Sequence, residues 1–440
     1  MALSAEWLSN APPPGPLTGG DKWTVFLSYR SVNRPWVLNL YDVLRQHGHQ
    51  VFLDQVVLKA GDRLVKGLQT ALETSQAGVL VWSVATGDSE WVQREYETLE
   101  TLASDKPGFQ FVPVRLDAGH LPIFARNRIF LDFSSYPDGP NGGELLRLLY
   151  ALVGQPLSPQ AARFAEDQDE RAREAGSQIG AAIRNRSPQR IQELFDQDGP
   201  VWNSSSALGC KAVQGLTELG DNERALALLP RLEAQFPRAI RPKQLRALAL
   251  ARRGHPNDLA TAQEILGTLY EQGERDPETL GIYARTWMDR YSTSGDVSDL
   301  KQSRSLYVQA FEAAPDDYYT GINAAAKSVF LGTEDDLTKA ATYAEQVQAL
   351  VGTEPIADDY WKTATVAEVY LIRRMYGDAA RLYEAAVSMA RAKVANHQST
   401  WTQAFRLMEK LKPTDADRAL IRAVFAEMPD PLTQGRPAAI

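Results

Sequence analysis

The hydrophobic pattern of this 440-residue chain changes character near residue 156. Before that point short apolar runs alternate with stretches of helical periodicity. Trp23–Ser28 is β-rich, and Arg34–Gln46 spaces Trp36, Leu40 and Leu44 at helical intervals. Residues 50–53 predict a short strand, a loop follows, and 63–74 predict a helix. Residues 77–83 form a continuous apolar run, the pattern of a strand buried on both faces. A helix that Ser89 can cap comes next, then strands at 109–115 and 128–131 and a closing helix over 142–153. Strands separated by helices of this length imply right-handed βαβ units, and so a parallel sheet with helices on both faces. Ligands of such sheets sit at the carboxyl ends of the strands. Tyr29, Arg30, Asp54 and Ser83 are therefore expected to ring one crevice, together with the start of the helix that carries Trp91 and Glu95. Those two residues are four apart, hence on one helix face about a turn from each other.

Beyond residue 156 strand signals stop. A linker at 156–160 leads into a polar helical segment over 163–186, and internal repetition follows. Ala225, Ala262, Ser303, Ala340 and Ala379 each begin a pattern of a small residue, a larger one four later, and a small or apolar one seven later. Pro237 and Pro315 fall where the second helix of a tetratricopeptide repeat ends, and Leu280, Gly281, Ala284, Ala367 and Tyr370 mark first helices. About five helical pairs are expected to stack into one solenoid, since no pair can bury its apolar face alone. Gly321 on a predicted helix implies close packing. A ligand-binding face carrying Asn323 or Arg285 is the alternative. Residues 414–428 read as a solubilising cap.

Composition removes several function classes. Apolar content of 44% and charged content of 23% are ordinary, and the net charge of −8 supplies no basic surface for nucleic acid. The single cysteine, Cys210, excludes an intrachain disulfide framework or a multi-cysteine metal site and suits a small buried position. His47 and His49 flank Gly48 at a predicted turn and are expected at the surface; the five histidines show no metal spacing. No apolar run approaches a membrane span. The first 20 residues, rich in proline and glycine, read as a flexible leader without a signal pattern, so a cytoplasmic location is expected. No phosphate-binding glycine motif and no nucleophile elbow occurs.

What remains has a recognisable order. Phe26-Leu-Ser-Tyr-Arg30, Trp36, Val51-Phe-Leu-Asp54, Gly61-Asp62, Val79-Leu-Val-Trp-Ser83 and Ser89-x-Trp91-x-x-x-Glu95 together resemble a TIR domain of the bacterial, enzymatic kind. The likeness departs at Asn33, where relatives commonly carry an acid, and before Gly61, where a proline is missing. The resemblance implies a five-stranded flavodoxin-like parallel sheet and cleavage of the nicotinamide–ribose bond of NAD+. Glu95 matches the catalytic glutamate, and Trp91 the tryptophan beside it. Tyr29 and Arg30 match the loop bordering the nucleotide. Ser28, Asp54, Trp82 and Ser83 are weaker pocket candidates, with Trp82 more suited to the core. NAD+ is substrate, and neither cofactor nor metal is implied.

Residues 278–325 resemble the TPR-like central region of stress-activated MAP kinase kinase kinases and related sensor units. The expected organisation is a leader (1–20), a TIR domain (21–155), a helical linker (156–200), a TPR-like sensor (201–430) and a tail (431–440). It implies activity switched on by self-association of TIR domains, under control of a trigger on the sensor, in antiviral defence by NAD+ depletion. A cyclase making a cyclic ADP-ribose signal and a non-catalytic adaptor are the rival readings.

Overall fold

The computed structural model describes residues 5–30, 33–53, 64–84, 90–118, 129–136, 139–197, 199–389 and 394–431, with backbone alone at 5, 64–68, 90–95 and 394–395. The chain divides into two compact units, Met1–Glu274 and Arg275–Ile440.

The first unit opens with a helix, α1 (Ala5–Asn10), followed by β1 (Trp23–Ser28), α2 (Arg34–Gln46), β2 (Val51–Phe52), α3 (Leu64–Glu73), β3 (Ser75–Trp82), α4 (Glu90–Asp105), β4 (Gln110–Arg115), β5 (Leu131–Asp132) and α5 (Gly142–Leu152). The strands form one parallel sheet, as the alternating pattern predicts, in the order β2-β1-β3-β4-β5, the flavodoxin-like arrangement that the resemblance implied. The last strand is shorter than the pattern suggested. Asp132 pairs with Arg115 of β4 and also accepts the Ser134 amide at 2.9 Å, which turns the chain away from the sheet. One face of the sheet packs Phe26, Phe52, Leu80 and Trp82 against Leu72 of α3 and Tyr96 and Leu99 of α4. Trp82 is thus core.

Helix α2 is buried along most of its length, its polar residues Arg34, Asn39 and Asp42 included, and Arg45 alone stands exposed. The Ser206 hydroxyl donates to Asn39 Oδ1 (3.0 Å), the Arg238 amide to Asp42 Oδ2 (2.7 Å), and Gln46 Nε2 to the Gln235 carbonyl (2.6 Å). These partners lie on the helices, and the turns between them, that complete the first unit: α6 (Pro159–Arg184), α7 (Pro188–Asp196), α8 (Pro200–Asn203), α9 (Ala207–Glu218), α10 (Asn222–Gln235), α11 (Arg241–Arg253) and α12 (Asp258–Glu271). Asp169 of α6 accepts the Gly143 amide at 2.6 Å, so the expected linker segment is docked on the α/β part. Cys210 is buried in the core of these helices.

Two expectations are corrected here. The start of the chain is not a detached leader: Trp7 is wholly buried, its Nε1 donates to the Pro200 carbonyl at 3.0 Å, and its ring meets Phe164 and His47 edge-on. His47 and His49 are buried rather than at the surface, because the turn they flank is covered by this added helix and by the strand ends. His49 Nδ1 lies 3.2 Å from the Thr24 hydroxyl.

The second unit runs α13 (Pro277–Ser294), α14 (Val297–Ala313), α15 (Tyr318–Leu331), α16 (Glu334–Val351), α17 (Tyr360–Ile372), α18 (Tyr376–Met389), α19 (Val394–Leu411) and α20 (Asp415–Val424). All five repeat triads lie on second helices across the two units, and none of their fifteen residues is more than 2% exposed. The odd member, Ser303, donates to the Ala284 carbonyl at 2.7 Å, which satisfies a hydroxyl where the other repeats place alanine. Helices α10 and α14 end two residues before Pro237 and Pro315, as the restriction on the residue preceding proline requires. Gly321 allows the close packing expected of it: a Cβ there would stand 2.6 Å from Val347 and 2.7 Å from Phe311. Helix α19 was not marked by the repeat pattern. Its Trp401 stacks on Phe425, beyond α20.

Burial lowers the pKa of both His47 and His49 to about 4 from an ordinary 6.5, His49 adding repulsion at His47. A depressed histidine stabilises the fold fully above its unfolded value and loses that contribution as pH falls. Unfolding free energy is expected to drop between pH 6.5 and 4 by about 1.4 kcal/mol per pH unit for each histidine. His47→Phe, which keeps a ring against Trp7, should flatten this decline in denaturant titrations; an unchanged slope would contradict the assignment.

Candidate functional site

The sheet reverses its strand order between β1 and β3, and the carboxyl ends of these two strands form the crevice of a doubly wound fold. Strand β1 ends in Ser28, which is buried, followed by the half-buried Tyr29 and the exposed Arg30. The Asn33 amide donates to the Arg30 carbonyl at 2.8 Å and turns the chain into α2. Beside it, the Ser83 hydroxyl donates to Asn33 Oδ1 at 2.9 Å, a buried bond that spans the switch point. The Leu116 amide donates to the Trp82 carbonyl (2.9 Å) and the Val84 amide to Asp117 Oδ2 (2.7 Å). The ends of β1, β3 and β4 are therefore tied into one edge.

Helix α4 begins at Glu90, a short connection beyond β3, so its amino end belongs to that edge. Trp91 and Glu95 are its second and sixth residues, and their side chains lie outside the described residues, as do Asp54 and Ser89 altogether. The neighbouring position is anchored: Tyr96 is buried, its hydroxyl donates to Glu100 at 3.0 Å, and its ring meets Phe111 edge-on at 5.2 Å. Position 95 is displaced from it by about 100° around the helix. Of the sequence-predicted residues, Ser28, Tyr29, Arg30 and Ser83 are brought together at the edge of the sheet, and the backbone of α4 carries Trp91 and Glu95 from the same edge.

Two residues that sequence reasoning did not select stand in this group. Arg34, the first residue of α2, reaches Tyr29 with Nη1 (2.8 Å to the hydroxyl) and both carboxylate oxygens of Glu274 with Nε (2.7 and 2.8 Å). The side chains of Arg34 and Glu274 are 7% and 4% exposed, so the pair is sealed from water. Burial works against the charged guanidinium, yet Tyr29 and Glu274 hold its pKa above the ordinary arginine value. Glu274 follows Gly273, whose φ of +88° ends α12, and the Glu274 amide returns to the Leu269 carbonyl at 3.0 Å. No sequence signal links two residues 240 positions apart.

A cleft of about 280 Å³ lies at the opposite edge of the sheet, beside Thr24, Gln76 and Gln110, and gathers none of the candidate residues. Among the described residues no group of three His, Cys, Asp or Glu side chains is placed to hold a metal.

The family model described as TIR domain matches residues 25–148, and the one described as Tetratricopeptide Repeats-Sensor matches residues 221–328. The chain carries a TIR domain and a tetratricopeptide-repeat sensor. A protein of Brachypodium distachyon, named as a probable 2′ cyclic ADP-D-ribose synthase, is 34% identical over 83 residues, which is 18% of this chain and 37% of that relative. The chain thus spans well under half the length of this curated relative. Among solved structures, a thermophilic TPR protein of Thermus thermophilus is similar over 46% of this chain and 97% of its own, at 19% identity and a TM-score of 0.35. A chain of an APC/C hetero-tetramer is similar over 61% and 47%, at 13% identity and a TM-score of 0.38.

In the second unit, the sensor residues singled out earlier form short local networks. Asn323 Oδ1 accepts from Lys327 Nζ at 3.0 Å, its Nδ2 donates to the Tyr319 carbonyl at 2.9 Å, and Arg285 lies 3.8 Å from Asp289. Burial lowers the pKa of Lys327 and raises those of Glu368 and Asp289. Glu368 accepts from Gln403 at 2.9 Å.

The Ser83–Asn33 bond predicts a stability effect at the TIR edge. Ser83→Ala should lower the unfolding free energy by about 1–2 kcal/mol, because it removes a buried hydrogen bond to Asn33 Oδ1. Chemical denaturation reads this directly, and an unchanged midpoint and slope would remove the bond from the account.

Proposed function

We propose that this chain cleaves the nicotinamide–ribose bond of NAD+ at the carboxyl edge of its TIR domain, with Glu95 as the catalytic carboxylate. The observation that carries the reading is the TIR match over residues 25–148, with position 95 on the helix that leaves the β1/β3 switch point.

The chemistry suits so sparse a set of residues. Glycosidases acting on ordinary glycosides use two carboxyl groups, because the leaving oxygen must be protonated. Nicotinamide departs from a cationic linkage. When the C1′–N bond breaks, its electron pair neutralises the pyridinium ring, and no general acid is called for. One carboxylate then suffices, bonding the ribose hydroxyls and stabilising the oxocarbenium character that develops at C1′. Water adds to C1′ and releases one proton, giving ADP-ribose. Trp91 packs on the sugar or the nicotinamide, Tyr29 and Arg30 border the nucleotide, and Asp54 completes the wall. The burial of Ser28 and Ser83 suits a supporting place beneath it. Self-association of TIR domains, governed by the sensor, sets the activity, and the sensor's trigger is a protein or ligand.

A second reading has its own support. The Brachypodium relative is named for a cyclic product, and the same bond cleavage yields one when a hydroxyl of the same molecule takes the place of water. Access of water to C1′ then decides the product.

Incubation with NAD+, at protein concentrations that drive clustering, followed by chromatography, tests these readings. ADP-ribose with nicotinamide marks hydrolysis, and a cyclic isomer marks the second reading. Glu95→Ala and Glu95→Gln are expected to lower kcat at least about a hundredfold. Full activity in Glu95→Ala refutes the assignment, and a wild type silent at every concentration leaves a non-catalytic adaptor.

A further inference from the structure

We infer that Glu274 is a positioning residue of the TIR site, acting through Arg34 on Tyr29, so that the last turn of the second repeat controls the loop following β1. The inference rests on the reading of that edge as the NAD+ site.

Three bonds of 2.7, 2.8 and 2.8 Å make the relay, from Glu274 to Arg34 Nε and from Arg34 Nη1 to the Tyr29 hydroxyl. Tyr29 directly follows β1, and Arg34 opens α2, so the guanidinium ties the end of that strand to the start of that helix. The Asn33–Ser83 bond fixes the same loop from the β3 side. Glu274 is supplied from outside the α/β part, at the end of a helix fixed by its glycine cap. A buried charge left without its partner is strongly disfavoured. A displacement of the end of α12 therefore pulls on Arg34, which is bonded to Tyr29. The joint responds in two states rather than by gradual sliding. It gives the sensor a direct mechanical hold on one wall of the site, separate from its part in assembly.

Glu274→Gln in the full chain tests the relay. Two readouts are needed, one of them independent of catalysis. Amide hydrogen exchange over residues 28–36 is expected to speed up about tenfold, the scale of losing one charge-assisted bond, with helix 334–351 unchanged as an internal control. In steady-state assays KM for NAD+ should rise several-fold with kcat within twofold. Tyr29→Phe should do the same, and the double variant should be no worse than either single one, as a shared pathway requires. Glu274→Asp should restore part of the loss. Unchanged exchange over 28–36 in folded Glu274→Gln overturns the relay whatever the activity. So do strictly additive effects on KM. A wild type that does not turn over NAD+ fails the site reading instead, and the exchange result still decides the relay.

Discussion

The first unit depends on the burial of helix α2. Its apolar residues, Trp36, Leu40 and Leu44 among them, are core, and Arg34, Asn39 and Asp42 are buried as well, with Gln46 half-buried. Buried polar groups must find partners, and those of Arg34, Asn39, Asp42 and Gln46 come from Glu274, Ser206, Arg238 and Gln235. Each made bond adds only about 1 kcal/mol net, whereas each buried group left open costs about 1–3 kcal/mol. The seam therefore contributes modest stability and strong specificity, since a shift of α2 would break several of these bonds at once. The α/β part and the first sensor helices are for this reason one compact unit, although the pattern of strands and repeats divides them near residue 156.

Much of this was legible in sequence, and the reason is periodicity. The parallel sheet follows from β-rich runs spaced by helices, and its flavodoxin-like strand order was what the TIR resemblance implied. The repeat triads were legible because a helix buried along one stripe repeats its small and large residues at fixed intervals. All fifteen positions are buried. The candidate residues Tyr29, Arg30 and Ser83 were found by topology alone, since in a parallel sheet every strand delivers its next residues to the same edge.

The failures share a cause. Polar or small residues were read as solvent-facing, and here tertiary partners cover them. His47 and His49 flank a glycine turn, a surface pattern by any local rule, until Trp7 closes over His47. Trp7 itself stood in a proline-rich stretch whose composition suggested a loose leader. Arg34 and Glu274 carried no mark because an ion pair needs only two residues, with no spacing to repeat. Helix α19 escaped notice for a related reason: its Trp401 and Met408 are core without the small-large-small order of the repeats.

The placement of the ion pair has a physical logic. Along α2, among the described residues, neutral bonds lie at Asn39 and Gln46 and the Asp42 carboxylate accepts a backbone amide, while a carboxylate–guanidinium pair lies at the first residue, just after β1. Neutral hydrogen bonds can tolerate small shifts. A sealed carboxylate–guanidinium pair cannot, because separating it strands two charges in a medium that solvates neither. Stiffness is thus concentrated where α2 meets the crevice. The proposed chemistry, with its one carboxylate, would gain most from rigidity at that point. Arg34 joins Tyr29 to Glu274 of the repeats, and so makes the geometry of the edge a property of both parts of the unit.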